Sequence, residues 1–368
     1  MAIRIGTYNV NNLFRRASIL QLEGFSSTTT KVLKDVRTLT GLLSQDSYLG
    51  TIGTKIVNLL KKYEFDKPVR QRTQHFFDIN EVRSRLFTVS QGQIKLKAKG
   101  RLDWVGSVEL VSEIVDEAST ENTARVIQAV AADILCMVEV EDRRALSQFN
   151  QTLLRKFQTG FAHNLLIDGN DDRGIDVGLL SKFEIRSVRS HIDDPIGQPG
   201  ERIFSRDCAE FEIILPNGTS LWLLANHFKS KLGNFTESNA KRQKQAERVA
   251  EILQRFDLTK DLVVVAGDFN DTPDSQPLSK LLQTPNLSDV LKSPLLNGPA
   301  WTFRDGKDQI DYILVSKSLN DTLQAVAIER HGIFSKTDFG GQFPHFQEVK
   351  DTVSQGSDHA AVVAEFNI

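Results

Sequence analysis

The sequence predicts an α/β fold, with mixed sheets and helices packed outside them, and three observations predict it. Eleven short apolar segments bounded by turn residues read as strands, more than one small sheet holds. Segments with 3.6-residue apolar periodicity lie between them. Asn217-Gly218 separates two neighbouring strand segments as a tight turn would, so those two run antiparallel.

The strands are Ile3 to Val10, Ile134 to Val138, His163 to Ile167, Val177 to Ser181, Ile185 to His191, Cys208 to Leu215, Ser220 to Asn226, Leu262 to Ala266, Ile310 to Val315, Leu323 to Glu329 and Ala360 to Phe366. Their apolar runs suit burial on at least one face. Helices are expected over Ala124 to Ala132, Ala145 to Phe157, Ala240 to Phe256 and Gln276 to Leu282, the last opening near Pro277, which a first turn tolerates. The segment from about Arg15 to Ala118 behaves differently. Val32, Leu33, Val36, Leu39, Leu42 and Leu43 share one helical face and Ile56, Leu59, Leu60 and Tyr63 another, with Gly50 and Gly53 breaking the two apart, so a helical hairpin is expected. After Pro68 the period becomes two, with Ile94, Leu96 and Ala98 between Lys95, Lys97 and Lys99, and Trp104 to Val111 follows as another strand.

With 368 residues, 40% of them hydrophobic and 25% charged, the chain can bury a core, which excludes wholesale disorder and a membrane bundle. A net charge of −2 gives no global positive field, so any polyanion site must be local. Cys136, inside Ile134-Leu135-Cys136-Met137-Val138, reads as a free buried thiol rather than as half of a bridge to Cys208. No apolar run of roughly 18 residues occurs, so no membrane insertion is expected. The N-terminus alternates like a strand instead of carrying an apolar leader, which makes the cytoplasm the expected location. No protein partner can be inferred.

Six short stations carry chemistry, because polar residues able to bind metal or phosphate stand at strand ends, where an α/β fold places its site. They are Tyr8-Asn9-Val10-Asn11, Val138-Glu139-Val140-Glu141, Asn226-His227-Phe228-Lys229, Gly267-Asp268-Phe269-Asn270-Asp271, Gln309-Ile310-Asp311-Tyr312 and Ser357-Asp358-His359. Singly, each has a bland explanation: a turn cap, a solvated strand end, a terminating turn. Together they supply hard oxygen ligands for Mg²⁺ alongside imidazoles.

In this order the stations resemble the signature of the endonuclease/exonuclease/phosphatase superfamily, over roughly residues 1–14 and 119–368. The resemblance implies a four-layered α/β/β/α sandwich of two packed mixed sheets with the site at one end, and a single catalytic domain over 1–368 that carries an inserted helical and β-hairpin segment at 15–118. It also implies roles. Glu139 would be the central ligand of Mg²⁺, for which Mn²⁺ substitutes, with Asn9 and Asp358 completing or orienting the shell. Asp268 and Asn270 would position the attacking water and a phosphate oxygen. His359 would be the essential imidazole, oriented by Asp311, and His227 the second, with Asp176 as its candidate partner. Arg206, Lys229, Asn11 and Arg173 are the candidate substrate contacts. For Arg206 an exposed arginine at a strand start is the alternative, and Lys231 is a further candidate for phosphate. Lys241, Arg242 and Lys244 read instead as a solvated helix face. His75, His163 and His191 read as surface or satisfied histidines, whereas His331 and His345 flank a loop that could overhang the site.

The first strand and Glu139 stand farther apart than in ordinary members of the superfamily, hence the insertion. Its Lys95, Lys97, Lys99 and Arg101 form either a ridge for a phosphate backbone or solvated edge-strand lysines that block aggregation. The expected activity is a metal-dependent nuclease acting on DNA or RNA. The alternatives are a phosphatase or a lipid or small-molecule phosphodiesterase, and more remotely a scaffold that only binds.

Overall fold

Two six-stranded sheets organise the chain outside residues 15–115 in the computed structural model, which describes residues 1–13, 15–17, 27–114, 118–171, 173–197, 200–304, 306–334 and 344–368. The first sheet runs, edge to edge, Leu323–Glu329, Ala361–Asn367, Ala2–Leu13, Ile134–Val140, Asp176–Ser181 and His163–Leu166. The second runs Glu184–Arg189, Cys208–Ile214, Ser220–His227, Leu262–Asp268, Asp311–Ser316 and Leu287–Asp289. The three-residue edge strand Leu287–Asp289 is too short for a period-two signal. Each sheet holds one parallel pair at its centre, Ala2–Leu13 with Ile134–Val140 and Ser220–His227 with Leu262–Asp268; the other pairings are antiparallel.

Alternation along the strands decides which side chains meet. Ile134, Cys136 and Val138 of the first sheet pack against Leu223, Ala225, Val264 and Ala266 of the second in one buried cluster, so the sheets lie face to face. The other face of the second sheet, with Val263, Val265 and Leu314, is covered by Ala246, Val249 and Leu253 of helix Phe235–Leu253. Helices Ala118–Val130 and Arg143–Phe149 cover the first sheet. The result is the α/β/β/α sandwich. Full burial of one such aliphatic side chain is worth about 1.5–3 kcal/mol, and truncating one to alanine costs about 2–5.

Helix Phe235–Leu253 starts where Asn234 Oδ1 accepts the N–H groups of Thr236 (3.0 Å) and Glu237 (3.2 Å). The helix expected to run from Ala145 to Phe157 widens into a π turn at Asn150–Leu154, where Asn150 exchanges side-chain hydrogen bonds with the backbone of Phe161 at 2.8 and 2.9 Å. At Asn217-Gly218 the strands turn back as expected, but only Gly218, at φ +84, has left-handed backbone. Cys136 and Cys208 are free and buried.

Residues Arg15–Val115 form a unit of their own. Helices Ser27–Leu43 and Thr51–Lys62 pack together, with a two-stranded pairing of Phe77–Arg83 with Val105–Leu110 and a hairpin of Phe87–Ser90 with Gln93–Leu96. Leu39, Ile56, Leu60, Tyr63, Phe77 and Trp104 are its core, and Trp104 Nε1 donates to Tyr48 Oη at 2.8 Å. Gly53 does not break the helices apart. It lies inside the second one, where a Cβ would stand 2.2 Å from the Tyr48 carbonyl oxygen.

Candidate active site

The C-terminal ends of the two central parallel pairs meet. Asn9 Nδ2, on the first sheet, donates to Glu139 Oε1 at 3.3 Å and across to Asp268 Oδ2, on the second, at 3.1 Å. Glu139 is there because of a bulge. Val138 and Val140 pair with Asn9 and Leu13 on one side and with Val177 and Asp176 on the other, leaving Glu139 out of both ladders at φ +66. A bulge re-aims a side chain. Left-handed backbone at a residue with a Cβ costs about 1–2 kcal/mol, which argues for a function at that position. Asn9 and Asp268 each close an Asx turn, accepting the N–H of Asn11 (3.0 Å) and of Asn270 (2.8 Å), and both of those residues are left-handed, at φ +49 and +54. Gly267, at φ +133, precedes Asp268 where a Cβ would sit 1.9 Å from the Asn226 carbonyl oxygen, so only glycine lets these strands end side by side.

Two imidazoles flank Asp268. His359 Nδ1 is 2.9 Å from Asp311 Oδ2, and its Nε2 lies 4.0 Å from both Asp268 Oδ2 and Asp358 Oδ1. Ser357 Oγ accepts the His359 N–H (3.0 Å) and donates to the Asn9 carbonyl (2.7 Å), and the Phe303 ring packs edge-on to the imidazole at 4.9 Å. His227 Nε2 lies 3.7 Å from Asp268 Oδ2 and 3.8 Å from Glu139 Oε1. Burial opposes charge on His359, but Asp311, Asp268 and Asp358 carry it up to about 10, an imidazolium. His227 is pushed well below its ordinary value by burial, with Arg206, His359 and Arg173 adding, and stays neutral. Asp268 is raised above the usual carboxylate range by burial, against the pull of His359. Asp171 binds Arg173 through two bonds of 2.9 Å and lies 3.1 Å from Arg206 Nε.

The sequence model of the endonuclease/exonuclease/phosphatase family matches residues 115–359. The chain belongs to this family. Its members hydrolyse phosphoester bonds and generally depend on a divalent metal. Among solved structures, a family protein from Bacteroides thetaiotaomicron is similar over 100% of this chain and 99% of that one, with 13% identity and a TM-score of 0.52, a likeness of fold. Truncated Caenorhabditis elegans TDP2 (19% identity, 68% of this chain and 90% of that chain, TM-score 0.46) and a mannosyl-6-phosphatase of Bacteroides thetaiotaomicron (17%, 68% and 91%, 0.48) are also similar. Comparison with curated proteins found no match.

The donor set of this family member fits a hard cation. Among the described residues no lysine or arginine stands within 4.0 Å of the Glu139 carboxylate, which faces His227 and the Asn9 amide. Asp268, Asp311 and His359 also bring donor atoms within 4.8 Å of one another, but there Asp311 is already engaged with His359 Nδ1 at 2.9 Å, whereas the partly exposed Glu139 carboxylate has, among the described residues, only the Asn9 amide as a close partner, which makes it the better cation position. Asp358, in salt-bridge contact with the exposed Arg304 at 3.4 Å, stands beside His359.

Several expectations are corrected. Asp176 does not partner His227, whose Nδ1 has no hydrogen bond among the described residues; the bulge sets Asp176 opposite Val140, and its carboxylate accepts the Gly169 N–H at 2.8 Å. Lys229 turns its ammonium into its own loop, donating to the Leu232 carbonyl at 2.9 Å, instead of presenting it to phosphate. Arg206 is not an exposed strand-start residue, since only 2% of its side chain is accessible. Arg242 is not on a solvated face: it is fully buried, donating to Asp271 Oδ2 (3.0 Å), the Lys229 carbonyl (2.9 Å) and Asn239. Its place on the apolar stripe of Ala246, Val249 and Leu253 was the available signal. His331 and His345 bond to Glu329 and to the Phe346 carbonyl at the base of their loop, whose residues 335–343 lie outside the described ones. His191 is satisfied, between Glu210 and Asp194. Asn11 lies at the site's edge, next to the Asn9 turn.

Proposed function

We propose that this chain is a divalent-metal-dependent phosphodiesterase whose substrate is a polynucleotide, DNA or RNA. The observation that carries the reading is the meeting of a strained, half-buried Glu139 with a buried Asp268 that stands between two imidazoles, one of them held at Nδ1 by Asp311.

Glu139 would hold Mg²⁺ or Mn²⁺, with Asp358 completing and Asn9 orienting the shell. When bound, such a cation neutralises charge on the phosphate and favours attack of water on phosphorus. Asp268, its Oδ2 fixed by Asn9 at 3.1 Å and Asn270 at 3.1 Å, takes the proton of the attacking water, a task that suits a carboxylate with raised proton affinity. His359 keeps its proton on Nε2 because Asp311 holds Nδ1, and donates toward the oxygen on which charge builds. Neutral His227 faces the same space and adds a second donor. Arg173, exposed and braced by Asp171 through two bonds of 2.9 Å, suits a flanking phosphate, because a guanidinium fork matches phosphate oxygens; Arg206, buried 3.1 Å from the same carboxylate, contributes its positive charge from behind.

The test is turnover of plasmid, single-stranded DNA, RNA, bis-p-nitrophenyl phosphate, sphingomyelin and inositol phosphates with Mg²⁺ and with Mn²⁺. Cleavage of a polynucleotide above the others is expected. Release of inorganic phosphate from monoesters, with polynucleotides intact, would overturn the reading in favour of a phosphatase.

A further inference from the structure

The near-neutral chain conceals a division of charge. Residues 15–115 carry 17 Lys and Arg against 10 Asp and Glu, a net of +7, while the remaining residues carry 28 against 37, a net of −9. Within the unit Arg15–Val115 the cations are also unevenly neutralised. Lys62, Lys67 and Arg72 pair with Asp35, Glu64 and Asp78. Arg83, Arg85, Lys95, Lys97, Lys99 and Arg101 have no carboxylate within 4.0 Å among the described residues, and all six are exposed.

Two of these arginines share a groove of about 420 Å³ with the hydroxyls of Ser44 and Ser107 and the apolar Trp104 and Leu102. The backbone that carries Arg101 is fixed. The Arg101 N–H donates to the Gln45 carbonyl at 3.0 Å, and at Gly100, just before it, a Cβ would stand 1.9 Å from the Asp46 carbonyl oxygen. Arg83 sits in the ladder opposite Val105. Lysines that only guard a strand edge need neither a groove nor two unneutralised guanidinium groups at its wall. A concave site with planar forks suits the phosphates of a strand more than the flat surface of a bilayer.

We propose that the unit Arg15–Val115 is a polynucleotide-binding module, with phosphates seated at Arg83 and Arg101 and further backbone along Lys95, Lys97 and Lys99; the choice of polynucleotide among polyanions rests on the nuclease reading above. The experiment uses the full chain carrying Glu139→Gln in EDTA, so that binding is read without turnover. Anisotropy of a labelled single strand and of a labelled duplex is followed against salt, beside sedimentation with phosphatidylcholine/phosphatidylserine vesicles. Arg83→Gln/Arg101→Gln and Lys95→Gln/Lys97→Gln/Lys99→Gln should each weaken DNA binding about tenfold or more at low salt and flatten the log–log salt slope by about 0.9 for each duplex phosphate that is no longer neutralised. Bis-p-nitrophenyl phosphate hydrolysis by otherwise wild-type chains with the same substitutions should stay within about a factor of two, as exposed surface substitutions usually allow. Unchanged affinity and slope would overturn the proposal. So would vesicle binding that disappears in these variants while DNA is not bound. If DNA binding responds as stated but no polynucleotide is cleaved in Mg²⁺, the module stands and the nuclease reading falls.

Discussion

Arg242 is the place where a buried charge, outside the reacting groups, holds the site in shape. Its guanidinium reaches the Lys229 carbonyl, two residues after His227, and Asp271, next to Asn270, so one side chain on helix Phe235–Leu253 ties together the loops that leave both central strands of the second sheet. Gln245, on the same helix, accepts the Lys229 N–H at 2.8 Å, and the Tyr312 hydroxyl donates to the Asp271 carbonyl at 2.8 Å. Replacing Arg242 by Met keeps roughly the volume but strips Asp271 Oδ2 of its guanidinium, leaving the carboxylate the Thr272 N–H at 3.1 Å and the half-exposed Lys231 at 3.2 Å, both on Oδ1. Breaking a buried pair from one side costs about 3–5 kcal/mol; with Lys231 still present the lower end applies. At about 2 °C per kcal/mol, the midpoint of unfolding should fall by about 6 °C.

The catalytic effect should be larger than the stability effect alone implies. A displacement of about 1 Å in a positioned group can lower a rate by about 10²-fold. Arg242→Met, assayed well below its own melting temperature, should therefore lose about 10- to 100-fold in kcat with a smaller change in KM, and Arg242→Lys, which keeps charge against Asp271, should recover part of it. Thermal unfolding followed by circular dichroism and steady-state kinetics on bis-p-nitrophenyl phosphate measure the two effects. A lowered midpoint with kcat intact would refute the coupling of this brace to the site.

EDTA should abolish hydrolysis and Mg²⁺ or Mn²⁺ restore it, and Glu139→Gly should stay inactive in metal while melting no lower than wild type in EDTA, because glycine relieves about 1–2 kcal/mol of left-handed strain. His359→Ala should lower kcat by about 10²-fold or more with little change in KM, and Asp311→Asn should do the same more mildly; a pure KM effect would assign the pair to binding. His191 provides a pH-dependent stability test: burial opposes its charge, but Glu210 and Asp194 raise it above its ordinary value. A raised folded-state value contributes stability that is fully present below the unfolded-state value of about 6.5 and is lost as pH rises from there through the raised folded-state value, so the melting advantage of wild type over His191→Gln should shrink between pH 6 and pH 9.

The chemistry was legible because it breaks the pattern around it. Asn9, Glu139, His227, Asp268 and Asp311 interrupt apolar runs that otherwise continue into strands, and such local disagreement marks a site more clearly than any single residue type does. What stayed hidden depends on register or on contacts distant in sequence. The bulge that frees Glu139 is a property of two neighbouring ladders, and the same shift carries Asp176 away from His227. Arg242 lies on an apolar stripe, but its partners come from two loops at 229 and 271. Gly53 belongs inside its helix because Tyr48 approaches it, which no local pattern records.

Two sheets were needed to make this site. Packed sheets stand about 10 Å apart, more than one side chain spans and about what two side chains span when they reach toward each other. Asn9 and Glu139 reach from the first sheet, Asp268 and His227 from the second, and the contact between Asn9 and Asp268 at 3.1 Å closes the gap. Regular alternation could not aim all four inward from strand ends. The departures from regularity, an Asx turn after Asn9, another after Asp268 and the bulge at Glu139, are what turn these groups into the gap between the layers. Their backbone strain is borne by central strands that are buried on both faces and cannot relax without unpairing, which is why a carboxylate can be held there in an orientation it would not adopt alone.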